Sequence, residues 1–354
     1  MQKYINYLKE NFLTPEQYIL RKFNDHEVIL LGEDHAVKDT LNMVITLIPL
    51  LYHSGVYNLG MEFGASEDQA DLDRLITSEE YDETQARNLL FTYNVKWAYK
   101  EYAEIYKAVW KLNKSLPKDA KKFRIVNLSY IYNWEGFSGM RTPISLRKVF
   151  HKGNIAAFRA DLVEKEILAK SEKLFVLTGT PHAFTKLKNP VLDYNADQFY
   201  ILQGDGFGNR LYEKFGSKIC TILMHQPAVN IDTLLPDTTG GMQTIEAVME
   251  SVHNKPGGFD LENTAMGDIP DVNYHPVPYK NFTLKEVSDG YIFLKPIRQQ
   301  QGCTVDYEYL EGKTFEEVQK NWPDKDWIPV PQNEKEYWQE VEGYVDLRKR
   351  YFRE

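Results

Sequence analysis

Two cysteines in 354 residues, Cys220 and Cys303, are too few for a disulfide framework or a Cys-based zinc ribbon, and they read as free thiols. Positive charge is also short: 42 Lys and Arg face 51 Asp and Glu, a net −9. Such a chain has no electrostatic footprint for nucleic acid or anionic lipid, and it favours a metal cation over free phosphate. The longest apolar run, "MVITLIPLLY", falls far short of the roughly 20 residues a membrane span needs. The opening "MQKYINYLKENF" lacks the apolar stretch and cleavage site of a signal peptide. The expectation is a soluble, cytoplasmic protein, or a periplasmic one if a leader has been removed.

Familiar catalytic signatures are missing too. "GDGFGN" (204–209) is G-x-G-x-G with no acidic residue at the dinucleotide-site distance, so its glycines read as turn residues. "GFSGM" places Met140 where a nucleophile elbow around Ser138 needs glycine. "HEVIL" lacks the second histidine of a zincin, and no low-complexity tract or repeat period appears.

What is present is a globular composition, 43% hydrophobic and 13% aromatic. Apolar runs at 27–32, 56–63, 123–131, 173–179, 199–204 and 218–225 read as strands, several apolar enough to be buried on both faces of a parallel sheet. Helical patterns at 40–53, 99–114, 155–171 and 209–216 lie between them, the first containing Pro49, which should kink or end it. The alternation predicts a three-layer α/β/α fold with a mostly parallel sheet. Residues 1–225 are expected to form this core. Residues 226–354 are expected to form a loop-rich extension ("HQPAVNIDTLLPDTTGG", "HNKPGGFD", "MGDIPDVNYHPVPY") with one late strand in "DGYIFLKPI", helices at 313–322 and 333–352, and the last helix packed on the core.

Two stretches nearly repeat. "LLGEDHA" and "LTGTPHA" both read L-x-G-x-x-H-A and end on His35 and His182. Gly32 and Gly179 each close a predicted buried strand, at the carboxyl edge where open α/β sheets bind ligands. A third strand, "VYNLGMEF", brings Glu62 to that edge. Two imidazoles and a carboxylate can hold a divalent metal with an open position, or act as a metal-free base with an orienting carboxylate. Glu33 adds an acid two residues before His35 and is the expected partner to fix one imidazole tautomer. The plainer reading satisfies both histidines with loop backbone and makes Glu62 a cap beside Ser66. Asn127 and Glu135 could reach the same edge from a fourth strand, with backbone hydrogen bonding as the alternative for Asn127. His225 closes "CTILMH" as a further candidate, while His53, His151, His253 and His275 read as surface or loop residues.

The stretch "ILLGEDHAVKDTLNMVITLIPLLYHSGVYNLGMEFG", followed downstream by "VLTGTPHA", resembles the superfamily that joins erythromycin esterases, ChaN-type haem-binding lipoproteins and TraB/TIKI proteins. "VKWAYKEYAEIYKAVWKLNKSLP" is similar to a Trp- and Glu-containing helix of the esterases, and "AAFRADLVEKEI" to their Arg-Asp helix, with Arg159 the nearest match. The resemblance covers roughly residues 25–225 and places His35, Glu62 and His182 at its three motif positions. Ala36 stands where the esterases carry glycine, and the two-residue spacing before His35 sits closer to the ChaN and TIKI branches.

The resemblance implies a hydrolase that cleaves an ester or amide bond of a small-molecule or peptide substrate. With a metal, His35, Glu62 and His182 would hold it and its water would attack. Without one, His35 would be the base, Glu62 would orient it and His182 would steady the oxyanion. The cofactor is thus one divalent transition metal, haem, or none. A non-catalytic haem or metal carrier of the ChaN type is the alternative, and a fold kept for interaction alone is a third.

Overall fold

In the computed structural model, which describes residues 1–229, 236–237, 240–271, 279 and 281–352, the apolar runs become strands. In chain order they are β1 (Val28–Glu33), β2 (Asn58–Ala65), β3 (Arg124–Ser129), β4 (Leu174–Gly179), β5 (Asn189–Leu192), β6 (Tyr200–Gln203), β7 (Ile219–Met224), β8 (Gly257–Asp260) and β9 (Gly290–Phe293). The class is the expected one: α/β, with mostly parallel strands and a helical C-terminal region.

The chain divides into two compact units, neither following a boundary at residue 225. One comprises Met1–His35, Ile167–Gln300 and Leu347–Glu354; the other comprises Ala36–Glu166 and Gln301–Asp346. In the first, strands run in the order β8-β9-β7-β1-β4. β1 is parallel to both β4 and β7, β9 is parallel to β7, and only β8 is antiparallel. Every residue of β1, β4 and β7 is buried, which is why these strands are apolar almost throughout. Leu8, Leu223, Ile245, Phe259, Met266 and Phe293 belong to one core cluster that draws in the N-terminal helix and the helix Gly241–Glu250.

The second unit holds the parallel pair β2–β3 with the helices Lys38–His53, Glu83–Tyr93, Lys100–Ser115 and Ile155–Glu166. Beside β3, the Gln69 carboxamide stands in for a neighbouring strand. Its Nε2 donates to the Ile125 carbonyl at 2.8 Å, and its Oε1 accepts from Asn127 N–H at 2.8 Å. Asn127 in turn donates from Nδ2 to the Ala65 carbonyl, while its buried Oδ1 has no hydrogen-bond partner among the described residues.

Several expectations need correction. "FYILQG" does not join the buried sheet: β6 pairs antiparallel with β5 in a separate hairpin that leaves Leu192, Phe199 and Ile201 at least half exposed. "HNKPGGFD" contains a strand, because Gly257 and Gly258 serve close packing instead of a turn. A Cβ on Gly258 would lie 2.6 Å from Tyr18, and one on Gly257 would lie 2.8 Å from Phe12. The helix Lys38–His53 runs through Pro49. The pattern at 333–352 is two helices, Glu334–Val345 and Leu347–Phe352, because Asp346 leaves helical backbone at ψ 82°. Parts of the loops around 230–239 and 272–280, with His275, lie outside the described residues.

The packing of β8 under the helix Pro15–Lys22 is testable. Gly258→Ala forces its Cβ into Tyr18, and overpacking of this kind costs about 1–3 kcal/mol. Urea unfolding should show a lower midpoint at unchanged slope; an unaltered midpoint would mean that Tyr18 yields freely.

Candidate functional site

Register decides which strand exits meet. β1 and β4 are aligned with Glu33 opposite Gly179, and β1 and β7 with Gly32 opposite Leu223. His35 follows Gly32 by three residues, His182 follows Gly179 by three, and Gln226 follows Leu223 by three. Three adjacent parallel strands of the first unit therefore release polar side chains at nearly one height. The repeated G-x-x-H is the signature of two neighbouring exits. Gly32 is tightly packed there: a Cβ would come within 2.7 Å of the Leu223 side-chain tip and 3.2 Å of the Thr180 backbone.

Glu33 ends β1 with its side chain fully buried, while His35 beyond it keeps 26% of its side chain exposed. His35 Nδ1 lies 3.2 Å from Glu33 Oε1. A carboxylate at that nitrogen accepts a hydrogen bond from Nδ1–H in the tautomer that leaves Nε2 as the acceptor. His182 sits half-exposed in the short turn Thr180–Ala183, which Pro181 starts. The Thr180 hydroxyl donates to the Glu33 carbonyl at 3.2 Å, and Gln226 Nε2 donates to Thr180 Oγ1 at 2.6 Å. The glycines of "GDGFGN" form no anion cradle: a Cβ on Gly208 would meet the Phe184 carbonyl at 2.5 Å, and Asn209 Oδ1 takes the Gly206 N–H.

The C-terminal helix Leu347–Phe352 belongs to the same unit and holds the loop that carries His35. Arg350 Nη2 donates to the His35 carbonyl at 3.0 Å, and both Arg350 and the Tyr351 hydroxyl bond the Asp34 carboxylate. Burial, with Asp34 beside it, pushes the Tyr351 phenol well above its ordinary pKa, so it remains a donor. Ala36, where the resembled esterases carry glycine, has φ 60°, a left-handed conformation that L-residues other than Asn and Asp seldom adopt.

His225 is a structural hub. Its ring is buried, with Nδ1 2.9 Å from the Tyr291 hydroxyl and Nε2 3.2 Å from Glu246 Oε1. Burial lowers its pKa, so the neutral ring accepts from Tyr291 and donates to Glu246. The hydrogen bond from His225 in turn lowers the Glu246 pKa.

In the second unit, Arg159 Nη1 donates to Glu62 Oε2 at 3.3 Å and Nη2 donates to Ser129 Oγ at 2.9 Å, while Ser129 donates to the Glu62 carbonyl at 2.7 Å. Arg159 and Glu62 are both almost completely buried. Glu62 is thus neutralised by a guanidinium and is a poor ligand for a further cation. Glu135, at the surface, pairs with Lys320. Among the described residues, no group of three or more His, Cys, Asp and Glu side chains stands together as a metal-ligand set. Both cysteines are buried thiols outside any disulfide, and among the described residues no helix is long and apolar enough to cross a membrane.

No family model matches the sequence, and no curated protein matches it. Solved structures do. A Bacillus cereus protein from a structural-genomics programme is 12% identical with a TM-score of 0.53, covering 83% of this chain and 97% of that one. A succinoglycan biosynthesis protein is 12% identical with a TM-score of 0.56, covering 83% and 96%. A ChaN of Campylobacter jejuni that binds haem cofacially is 17% identical with a TM-score of 0.37, covering 58% and 84%. The likeness is one of fold.

Two outcomes follow from the buried groups. Because the folded pKa of His225 is depressed, the unfolded chain binds its proton more readily. Stability contributed by the neutral ring is complete above the unfolded value of about 6.5 and is lost as pH falls from there through the folded value. Urea melts between pH 8 and 5 should show a loss in wild type that is smaller in His225→Gln; parallel curves would remove His225 as the cause. Arg159→Met strands the Glu62 carboxylate and should cost about 3–5 kcal/mol, with Arg159→Met/Glu62→Gln recovering part of it. A double variant no better than the single one would show that Glu62 is not the group left uncompensated.

Proposed function

We propose that this protein is a hydrolase of the erythromycin esterase/ChaN/TIKI-like class that cleaves an ester or amide bond with water activated by His35. The observation that carries the reading is the buried Glu33 carboxylate on the partly exposed His35 imidazole, at the carboxyl edge of β1. An acid–imidazole pair at a sheet edge, one partner closed to water and the other open, is the arrangement that general-base chemistry requires.

In this reading His35 Nε2 takes a proton from water as the oxygen attacks the substrate carbonyl carbon. Glu33 stabilises the imidazolium that forms without itself taking the proton. His182, leaving the adjacent strand, donates a hydrogen bond to the carbonyl oxygen as it gains negative charge. The tetrahedral intermediate then collapses: the bond from carbon to the leaving oxygen or nitrogen breaks, and the His35 imidazolium returns its proton to that atom. Glu62, already paired with Arg159, is assigned no proton to move; the two hold the second unit together.

Ester and amide panels turned over by wild type should identify a substrate on which His35→Ala lowers kcat by about 100-fold or more, and Glu33→Gln by about tenfold or more. Circular dichroism on each variant checks that the fold persists. Equal rates for all three folded proteins would remove His35 and Glu33 from catalysis.

A further inference from the structure

The exit of β7 carries a group that base catalysis by His35 does not use. Gln226 is 94% buried, counted from its relative exposure of 6%. Its Nε2 donates to Thr180 Oγ1, whose hydroxyl donates on to the Glu33 carbonyl. This chain fixes which way the carboxamide faces. Thr180 has one proton and spends it on the carbonyl, so it needs a donor from Gln226, and the Gln226 oxygen points away from it. That oxygen, Oε1, is buried with no hydrogen-bond partner among the described residues. Gln300 repeats the pattern: its Nε2 donates to the His225 carbonyl at 2.7 Å, and its Oε1 is buried without a partner among the described residues. His225 and Gln226 are consecutive, so two carboxamides near one strand exit donate to the protein and keep their acceptors unused. An unsatisfied buried acceptor is costly, and a ligand donor recovers that cost on binding.

We infer that Gln226 is a substrate-recognition residue: its Oε1 accepts a hydrogen bond from an amide N–H or hydroxyl that the substrate carries beside the bond to be cleaved. This rests on the hydrolase reading, and it narrows the substrate class to amides and hydroxyl-bearing acyl compounds over plain alkanoyl esters. Such selectivity arises because a site built to meet a donor leaves its acceptor unpaired when the donor is missing. Gln226 lies two hydrogen bonds from the Glu33 main chain, and the same register that places His35 places Gln226 on the neighbouring exit.

The test uses a matched pair, the p-nitrophenyl esters of lactate and propionate, which differ by one hydroxyl. Wild type should prefer lactate in kcat/KM by about tenfold, the effect of one hydrogen bond. Gln226→Met should lower kcat/KM on lactate about tenfold further than on propionate, mainly through KM. Gln226→Glu, which keeps an acceptor, should retain the preference. No preference in wild type overturns the inference. So does an equal loss on both esters, the result expected if Gln226 only braces Thr180 or if water fills its Oε1. If wild type hydrolyses neither ester, the inference is read by binding, separately from the assignment of His35 as base. Titrations with methyl lactate and methyl propionate, which differ by the hydroxyl alone, should then show tighter methyl lactate binding by wild type that is lost in Gln226→Met. Equal or undetectable binding of the two methyl esters overturns the inference.

Discussion

The parallel register of β1 with β4 and β7 is the constraint on which the first unit depends. It is set by burial: six consecutive enclosed residues in each strand leave no polar face that could tolerate a slip. Once Glu33 is opposite Gly179 and Gly32 is opposite Leu223, the residues after each strand have no choice of neighbour. The Thr180 turn then packs closely over Gly32, where a Cβ would come within 3.2 Å of the Thr180 backbone. The hydrogen bonds from Gln226 through Thr180 to the Glu33 carbonyl follow from that placement.

An acidic chain has to account for its buried carboxylates, and it does so in two ways. Asp289 takes the Thr221 N–H and Lys186, Asp306 takes Arg87, and Glu62 takes Arg159. In these pairs a permanent cation or main-chain donor faces the carboxylate, and the Glu62 pair is shut off from water. Glu33 differs in kind. Its partner is an imidazole that reaches solvent. A fixed ion pair stabilises one state; an acid–imidazole pair can stabilise a proton in transit. This contrast is what supports placing the proposed chemistry at His35 and not at Arg159.

Much of this was legible in the residues. The strands of the central sheet could be read because burial on both faces demands an unbroken apolar run, and the G-x-x-H repeat marked two of the exits. Glu33 was legible because its partner is two residues away. "GGFD" escaped because glycine signals turns as readily as it signals a helix crossing close above a strand, and only the position of Tyr18 tells these apart. "FYILQG" misled because a four-residue apolar strand reads alike whether it is enclosed or stands in an exposed hairpin. Gln226 had a signal, the same offset past a third strand, but no glycine to announce it. Arg350 and Tyr351 had none: their partner Asp34 is more than 300 residues away, and no local pattern encodes such a pairing.

The loop that carries His35 shows why distant pairing matters for chemistry. Ala36 holds a left-handed backbone that costs an L-residue roughly 1–2 kcal/mol relative to its ordinary regions. Such a conformation persists only where its surroundings over-determine it. Here the Ala36 N–H donates to the Tyr102 hydroxyl and the Ala36 carbonyl accepts from Cys303 N–H, both within the second unit. Within the first unit, His35 is held by Glu33 at its ring and by Arg350 at its carbonyl. In the proposed reading, fixing that geometry during folding would remove an entropic cost from the proton transfer assigned to His35.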